Sequence, residues 1–389
     1  MPEGTAAHAI GSGVSSALQI RADAGLAAAT TLELGGEAEY FLDVRDEREL
    51  AAGLGWARGR DLPLTVLGGG SNVVIADEGL RGLVVRIGLR GIERTPTDGG
   101  EIWRVAAGEP WDAVVAAAAA EGLAGIECLS GIPGLAGAAP VQNIGAYGQE
   151  VAETLVCTHV LDRRSGDTHR LAREECGFGY RTSRFKQEPG RWIVTGIELE
   201  LRSGPPEPPR YAELERALSS DPGQRPTAAS VRETVLALRR RKSMVLETGD
   251  ENRRSAGSFF LNPVLPAEEV SEIERRARAA GVLPAEEELP RFAAAQEHFK
   301  VPAAWLIEHA GFARGDRSGA IGISSRHALA LVHHGGGTTG ELLAYAARIR
   351  QAVANRFGVH LVPEPVLLGF AESPLREPTP GAADPATRS

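Results

Sequence analysis

The sequence predicts an α+β chain made of two glycine-bearing α/β units followed by a separate α+β domain, and three observations carry that prediction. At 389 residues the chain is too long for one ordinary core. Short apolar runs of strand type alternate with helical stretches in both the 30–87 and 102–200 regions. Two glycine-rich stretches, 68–72 and 125–150, break these patterns with neither helical nor strand periodicity.

Residues 1–17 and 371–389 are rich in Pro, Ala and Ser with few large apolar groups, and both are expected to be disordered tails. The first unit, 18–88, has a helix at Glu47–Arg58 and the apolar run Leu64–Leu67, which breaks into Gly68, Gly69, Gly70, Ser71 and Asn72 and resumes at Val73–Ile75. In a dinucleotide-binding fold of the Rossmann kind, or a P-loop, such glycines would open a helix whose N-terminus holds the phosphate. Here β-branched residues follow, and no Gly-Lys-Ser/Thr is present. What remains is a nest of backbone amides, with Ser71 and Asn72 as side-chain donors, able to hold a pyrophosphate. A plain hairpin turn fits the same letters.

The second unit, 89–225, has a helix at 111–121, the glycine-rich stretch, strands at 156–162 and 192–201, and a Pro-rich loop at 203–225. Glycines 125, 131, 134, 137, 145 and 148 keep side chains out of the way, so backbone N–H groups can approach a large polar ligand. Pro133 and Pro140 stiffen the path, and Ile126, Leu129, Ile132, Leu135, Val141 and Ile144 set it apart from a flexible linker. The third domain, 226–357, is expected to begin with Pro226 at the first position of a helix, 227–242. A strand-like FFLNPV follows, then helices at 266–280 and 303–310, a strand at 327–333 and a helix at Thr339–Phe357. The strand-like 362–370, within 358–370, is expected to return to an earlier unit.

A net charge of −9, with no basic run beyond Arg239-Arg240-Arg241-Lys242, argues against nucleic acid as a partner. No apolar run approaches the ~20 residues of a membrane span, and the N-terminus lacks the charged and apolar regions of an export signal, so a cytoplasmic protein is expected. A monomer is expected as well, although no feature of the sequence decides it. Cys128, Cys157 and Cys176 are widely spaced with no CxxC pair, which speaks against disulfides and a zinc site; no metal is expected.

Chemistry-bearing side chains fall in three places. Tyr180-Arg181-Thr182-Ser183-Arg184-Phe185-Lys186 suits an anionic ligand and equally suits a solvated basic turn. The chain has only three lysines, Lys186, Lys242 and Lys300, and where arginine is the default cation a retained lysine suggests that a compact ammonium is wanted. Ser258, between Gly257 and two phenylalanines, lacks the GxSxG frame of a nucleophile and reads as a proton donor or as a strand residue satisfying backbone. Glu364, between two prolines in an apolar strand, should be partly buried and rigid, a candidate for a perturbed pKa or for an edge-strand salt bridge.

Taken in order, LGGGSN, SGIPGLAGAAPVQNIGAYG, YRTSRFK, AGSFFLNP and FGVHLVPEP resemble the UDP-N-acetylenolpyruvoylglucosamine reductase family over residues 30–369. The resemblance implies non-covalent FAD between two α/β subdomains, a two-subdomain fold of the vanillyl-alcohol-oxidase-like kind, with a third α+β domain closing over a UDP-sugar and NADPH as co-substrate. It places the flavin on Gly68, Gly69, Gly70, Ser71 and Asn72 and on Gly131, Ile132, Pro133, Gly134, Gly137, Gln142, Asn143, Gly145, Ala146 and Tyr147. It makes Arg181 and Glu364 the residues that steady charge on the enolpyruvyl group and Ser258 the proton donor. Tyr180, Tyr211, Lys242, Asn262 and His327 become substrate contacts, Tyr211 from a substrate-covering loop. Leu261 and Pro365 depart from the residues many members carry there, lysine and valine.

The reaction so implied is chemically coherent. An enol ether is electron-rich and resists hydride, so charge pushed toward the carboxylate must be stabilised, and the carbon that carries it must then be protonated from one face. A flavin oxidase of the same fold, acting on a hydroxy acid or alcohol, explains the glycine stretches but not Ser258 and Glu364 in their motifs. A flavin or sugar-nucleotide binder without turnover is the non-enzymatic alternative.

Overall fold

The computed structural model describes residues 18–218, 225–294 and 297–375; the expected tail at 1–17, and all but 371–375 of the one expected at 371–389, lie outside them. In the first unit, strands Arg21–Gly25, Glu37–Val44, Leu80–Ile87 and Leu64–Leu67 form a four-stranded sheet in that order. The first pair is antiparallel and the other two are parallel. Both faces are covered, so the strand Leu80–Ile87 carries apolar residues on each: Leu83, Val85 and Ile87 join one core while Leu80 and Val84 join another. Helix Glu47–Arg58 begins where Asp46 accepts a hydrogen bond from the Glu49 amide, and its buried Leu50 and Ala57 enter the first of those cores.

The glycine turn is not a hairpin. Leu64–Leu67 pairs with Leu80–Ile87, whereas Val73–Ile75 pairs in parallel with Val366–Leu368 from the far end of the chain. The expected return of the C-terminal strand therefore stands, in a shorter strand than 362–370.

The second unit is an antiparallel sheet whose main path runs Thr168–Ala172, Leu155–Asp162, Trp192–Ser203, Gly100–Ala106 and Ile92–Thr97. Helix Trp111–Ala120 lies against it, and fully buried Trp103 and Trp111 fill the core shared with the first unit. The third domain has a four-stranded antiparallel sheet, Ser255–Ser258, Ala330–His333, Ile321–Ile323 and Arg317–Ser318, with a three-stranded sheet and helices Ala267–Ala279, Ala303–His309 and Thr339–Phe357. Its core takes in Leu32, Leu34 and Val74 from the first unit. Asp77 of the first unit accepts from the amides of Thr339 and Gly340, each at 2.8 Å, placing a carboxylate at the positive end of the longest helix. Among the described residues no helix is long and apolar enough to cross a membrane.

Several expectations shift. The helix expected at 227–242 is Ala228–Arg241: Thr227 is its cap, accepting from the Ser230 amide, so Pro226 lies outside the helix. It also packs on the second unit, because Val231, Val235 and Leu238 share a core with Cys128 and Leu214, and Arg232 grips Asp112 with both guanidinium branches, at 2.6 and 2.9 Å. FFLNPV is not one strand: Phe260 bridges to Pro363 and a separate strand spans Val264–Pro266. The strand expected at 327–333 is Ala330–His333. The chain does not loosen at 371, since Leu375 is 5% exposed and its carbonyl accepts from Arg350. All three cysteines are free and buried.

Candidate active site

The two glycine-rich stretches meet. Ser71 Oγ donates to the Pro133 carbonyl at 3.2 Å, a Cβ on Gly69 would lie 3.0 Å from Gly134 Cα, and one on Gly134 would lie 2.8 Å from Ser71 Oγ. Side chains are thus excluded where the turns touch. Gly70 has φ +64 and a Cβ there would sit 1.9 Å from the Ala29 carbonyl oxygen, so the turn needs glycine for its own path. Among the described residues the amides of Gly69, Gly70 and Ser71 donate to no protein acceptor, and Gly69 is exposed. Three successive free N–H groups on an open turn form a nest for a phosphate-bearing cofactor.

The second stretch divides by role. Pro133, Gly134 and Ile132 face or adjoin the turn, and Gln142 is joined to it through a hydrogen bond from Asn72. Gly145 and Ala146 form a short hairpin with Gln149–Glu150, turned by Tyr147 (φ +49) and Gly148 (φ +83). The other three residues assigned to the cofactor spend their polar groups inside the protein. The Gly131 amide donates to Asp112 at 2.6 Å, and a Cβ on it would press 2.9 Å from Leu236. The Gly137 amide donates to the Ala107 carbonyl and a Cβ there would meet Ala107 at 2.5 Å. The Asn143 side chain, 1% exposed, donates to Glu150 and to the Gly179 carbonyl and accepts from Ala152. These side chains and amides brace the loop; their letters resemble those of a ligand surface because close backbone approach and ligand approach call for the same small residues.

The basic segment is not a solvated turn. Arg181 has φ +50, a left-handed backbone in a non-glycine residue, and its guanidinium donates to the Gly145 carbonyl at 2.6 Å and to the Asn143 carbonyl at 3.4 Å. Its Nε lies 3.5 Å from Glu364 Oε1, with the two side chains 20% and 14% exposed. Burial pushes the Glu364 carboxyl above its usual range, against the pull of Arg181 and Lys186. Gln142 Nε2 also reaches Glu364 Oε1 at 3.5 Å, which ties the glycine turn, Asn72, Gln142 and the Arg181–Glu364 pair into one chain. Lys186 Nζ donates to the Arg181 carbonyl at 3.2 Å, and Lys300 Nζ stands 5.0 Å over the Tyr180 ring. Burial lowers the pKa of both lysines. Tyr180 lies near Asn262, whose side chain receives the Ala303 amide at the start of a helix.

Ser258 ends the strand Ser255–Ser258, next to the crossing that holds Glu364. The Phe259 carbonyl accepts from the Glu364 amide and the Leu261 amide donates to Val362, both at 2.9 Å. Phe259 and Phe260 are 0% and 1% exposed, while the Ser258 hydroxyl has no protein partner among the described residues.

A second locus gathers Tyr147, Tyr211, Arg239, Lys242 and His327. Tyr211 meets Tyr147 edge-on at 5.6 Å and stays 39% exposed. Burial and the cations Lys242, Arg239 and Arg314 hold His327 down at about 4, so it is neutral near pH 7. Lys242 is engaged by Glu213. Arg239 escaped the sequence reading. It bonds to the carbonyls of Gly131 and Met244, yet its Nε is buried with no partner. A signal existed: 228, 231, 235 and 239 fall on one face of the helix, so Arg239 replaces an apolar residue on the buried stripe. A nest of free amides fits a large anionic cofactor such as FAD, and the second glycine-rich stretch adds an orphaned guanidinium N–H where Arg239 meets Gly131.

Comparison with known proteins agrees with this geometry. Residues 38–172 match the model for the FAD binding domain, and residues 249–368 match that for the UDP-N-acetylenolpyruvoylglucosamine reductase C-terminal domain. The UDP-N-acetylenolpyruvoylglucosamine reductase of Thermobifida fusca is 47% identical over 88% of this chain and 96% of its own length. That of Streptomyces coelicolor is 46% identical over 90% of each. The crystal structure of UDP-N-acetylenolpyruvylglucosamine reductase from Thermus caldophilus superposes with a TM-score of 0.60 at 25% identity, covering 91% of this chain and 99% of that one. With an FAD-binding pair of units, a third domain that sets Ser258 next to the strand crossing of Glu364 and relatives matched along nearly their whole length, the chain belongs to the UDP-N-acetylenolpyruvoylglucosamine reductase family of FAD-dependent oxidoreductases.

Proposed function

We propose that the Arg181–Glu364 pair and Ser258 carry out the NADPH-dependent reduction of UDP-N-acetylglucosamine enolpyruvate to UDP-N-acetylmuramate, a step in making peptidoglycan precursor. The observation that carries this reading is the half-buried Arg181–Glu364 pair, linked through Gln142 and Asn72 to the glycine turn. The glycine turn and the 131–134 stretch would hold FAD, which would supply hydride transfer from NADPH to the substrate. Hydride adds to the terminal methylene carbon of the enol ether, and the electron pair moves onto the carbon beside the carboxylate. Arg181, fixed by two backbone carbonyls before substrate arrives, stabilises the charge spreading into that carboxylate without reorganising. Glu364 keeps the guanidinium oriented. Ser258 Oγ then delivers the proton that completes the lactyl group, and water restores the hydroxyl.

Tyr180 and Asn262 border this centre; Tyr211, Lys242 and His327 are assigned to the nucleotide end of the substrate. The protein is proposed to act as a monomer, and two membrane-impermeant anionic substrates fit work in the cytoplasm. The test is anaerobic. NADPH should bleach the flavin absorbance of the purified protein, and UDP-N-acetylglucosamine enolpyruvate should restore it with formation of UDP-N-acetylmuramate. Bleaching by a hydroxy acid or an alcohol in place of NADPH would refute the reading in favour of an oxidase.

A further inference from the structure

Lys242 caps the C-terminal end of helix Ala228–Arg241, and the chain turns sharply beyond it through Ser243 (φ +52), whose hydroxyl is held by Asn252. The ammonium is therefore held at a fixed base. Around it lie Arg239 and neutral His327, and Arg314 is close enough to lower the His327 pKa further. Arg239 carries an orphaned N–H as well. One carboxylate meets the ammonium: Glu213 Oε2, 2.6 Å from Lys242 Nζ. Glu213 belongs to helix Ala212–Leu218, which follows Tyr211 directly. The segment is moored by its neighbours. Leu214 is fully buried against Val231, Val235 and Leu238, and Arg210 bonds to the Gly148 carbonyl and to Glu153. The Glu213 side chain is a third exposed, as is that of Lys242.

We propose that Glu213 is an internal competitor for the nucleotide substrate, occupying Lys242 until an anionic diphosphate takes the same ammonium. This rests on the assignment of Lys242 to the substrate. Binding then exchanges one acceptor for another on Lys242, and the released Glu213 carboxylate stays nearby as a repulsive charge. Glu213 weakens binding and speeds release, while the Tyr211 segment remains moored through Leu214 and Arg210.

An exposed pair of this kind shifts an equilibrium by roughly twofold to fivefold, and more at low salt. Glu213→Gln, which keeps size and hydrogen bonding but drops the charge, should lower the KM for UDP-N-acetylglucosamine enolpyruvate by about that factor. Its KM should also rise more steeply with added salt, because the parent loses its competitor as salt screens it and the variant has none to lose. In a Lys242→Met background, where no ammonium is left to contest and only the repulsion of the nearby carboxylate remains, the same change should lower the KM by less. Two controls separate the outcomes. If Lys242→Met leaves the KM unchanged, Lys242 does not contact substrate and the assignment beneath the proposal fails. If Lys242→Met raises the KM while Glu213→Gln raises it or leaves it alone at low salt, Glu213 is a positioning residue for the segment and the competitor proposal is overturned.

Discussion

Replacing Ser258 by alanine should separate chemistry from folding. The hydroxyl has no protein hydrogen bond among the described residues, so its loss should cost stability no more than about 0.5 kcal/mol. The backbone cannot adjust to compensate, because Ser258 is registered against Ala330 and followed by the fully buried Phe259 and Phe260. Those rings also limit the water that could substitute for the hydroxyl. The loss should therefore fall on proton delivery, typically ~10²- to 10⁴-fold, or about 2.7–5.4 kcal/mol of barrier. Stopped-flow absorbance measures flavin reduction by NADPH and reoxidation by the enolpyruvyl substrate separately, and only the second should slow. Ser258→Cys keeps a transferable proton and should lose less. Gly257→Ala is the geometric control: the added methyl would lie 3.7 Å from Met244, so its cost is the φ of +70, about 1–2 kcal/mol of backbone twist that re-aims Ser258. An alanine variant at 258 that reoxidises at the parental rate refutes the assignment.

Other outcomes follow from the same geometry. Arg181→Ala and Glu364→Gln should slow reoxidation by substrate far more than reduction by NADPH; equal slowing of both half-reactions would remove their assigned roles. Gly68→Val should give folded but colourless protein, since a Cβ there meets only Ala138 at 3.8 Å, whereas Gly70→Ala should fail to fold; flavin absorbance and circular dichroism distinguish the two, and full flavin retention in Gly68→Val would take the turn out of the cofactor site. His327, depressed to about 4, takes up its proton later on acidification than the unfolded chain does, so stability should fall between about pH 6.5 and 4 by up to ~3 kcal/mol. Urea midpoints should show that His327→Gln flattens this slope. Glu364 is shifted the other way: the unfolded chain loses that proton first as pH rises, so ionising the buried carboxyl costs stability above the ordinary glutamate range. Glu364→Gln should raise the urea midpoint at pH 7 relative to the parent and change it little at pH 4.

Helices whose ends are written in local chemistry were legible to the residue. Asp46 with Glu49 opens Glu47–Arg58, and Thr338 with Glu341 opens Thr339–Phe357, which stops at left-handed Gly358. The helix after Pro226 was legible as a helix but not in its allegiance, because Asp112, its partner through Arg232, lies 120 residues earlier. In the site, the glycine turn and the Arg181 and Glu364 segments stood out as departures from periodicity. Gly131, Gly137 and Asn143 did not reveal that they brace the loop from within. Arg239 hid in a basic run, since four cations in a row look solvated until the helix turns one of them inward. Lys300 was noticed for its rarity, yet only the fold sets it over Tyr180.

The pairing of Val73–Ile75 with Val366–Leu368 bears on how the protein is made. On the ribosome, the segment that follows the glycine turn emerges early and waits for nearly the entire remaining chain before its neighbour exists. Val366 donates to the Asn72 carbonyl, and Glu364 arrives two residues ahead of it, so the turn and the acid of the site are completed in one late event. A nascent chain stopped anywhere in the third domain would carry an unfinished nest and an open strand edge, exposed to misassociation. The strand edge at Val73–Ile75 is thus among the last parts of the fold to be closed.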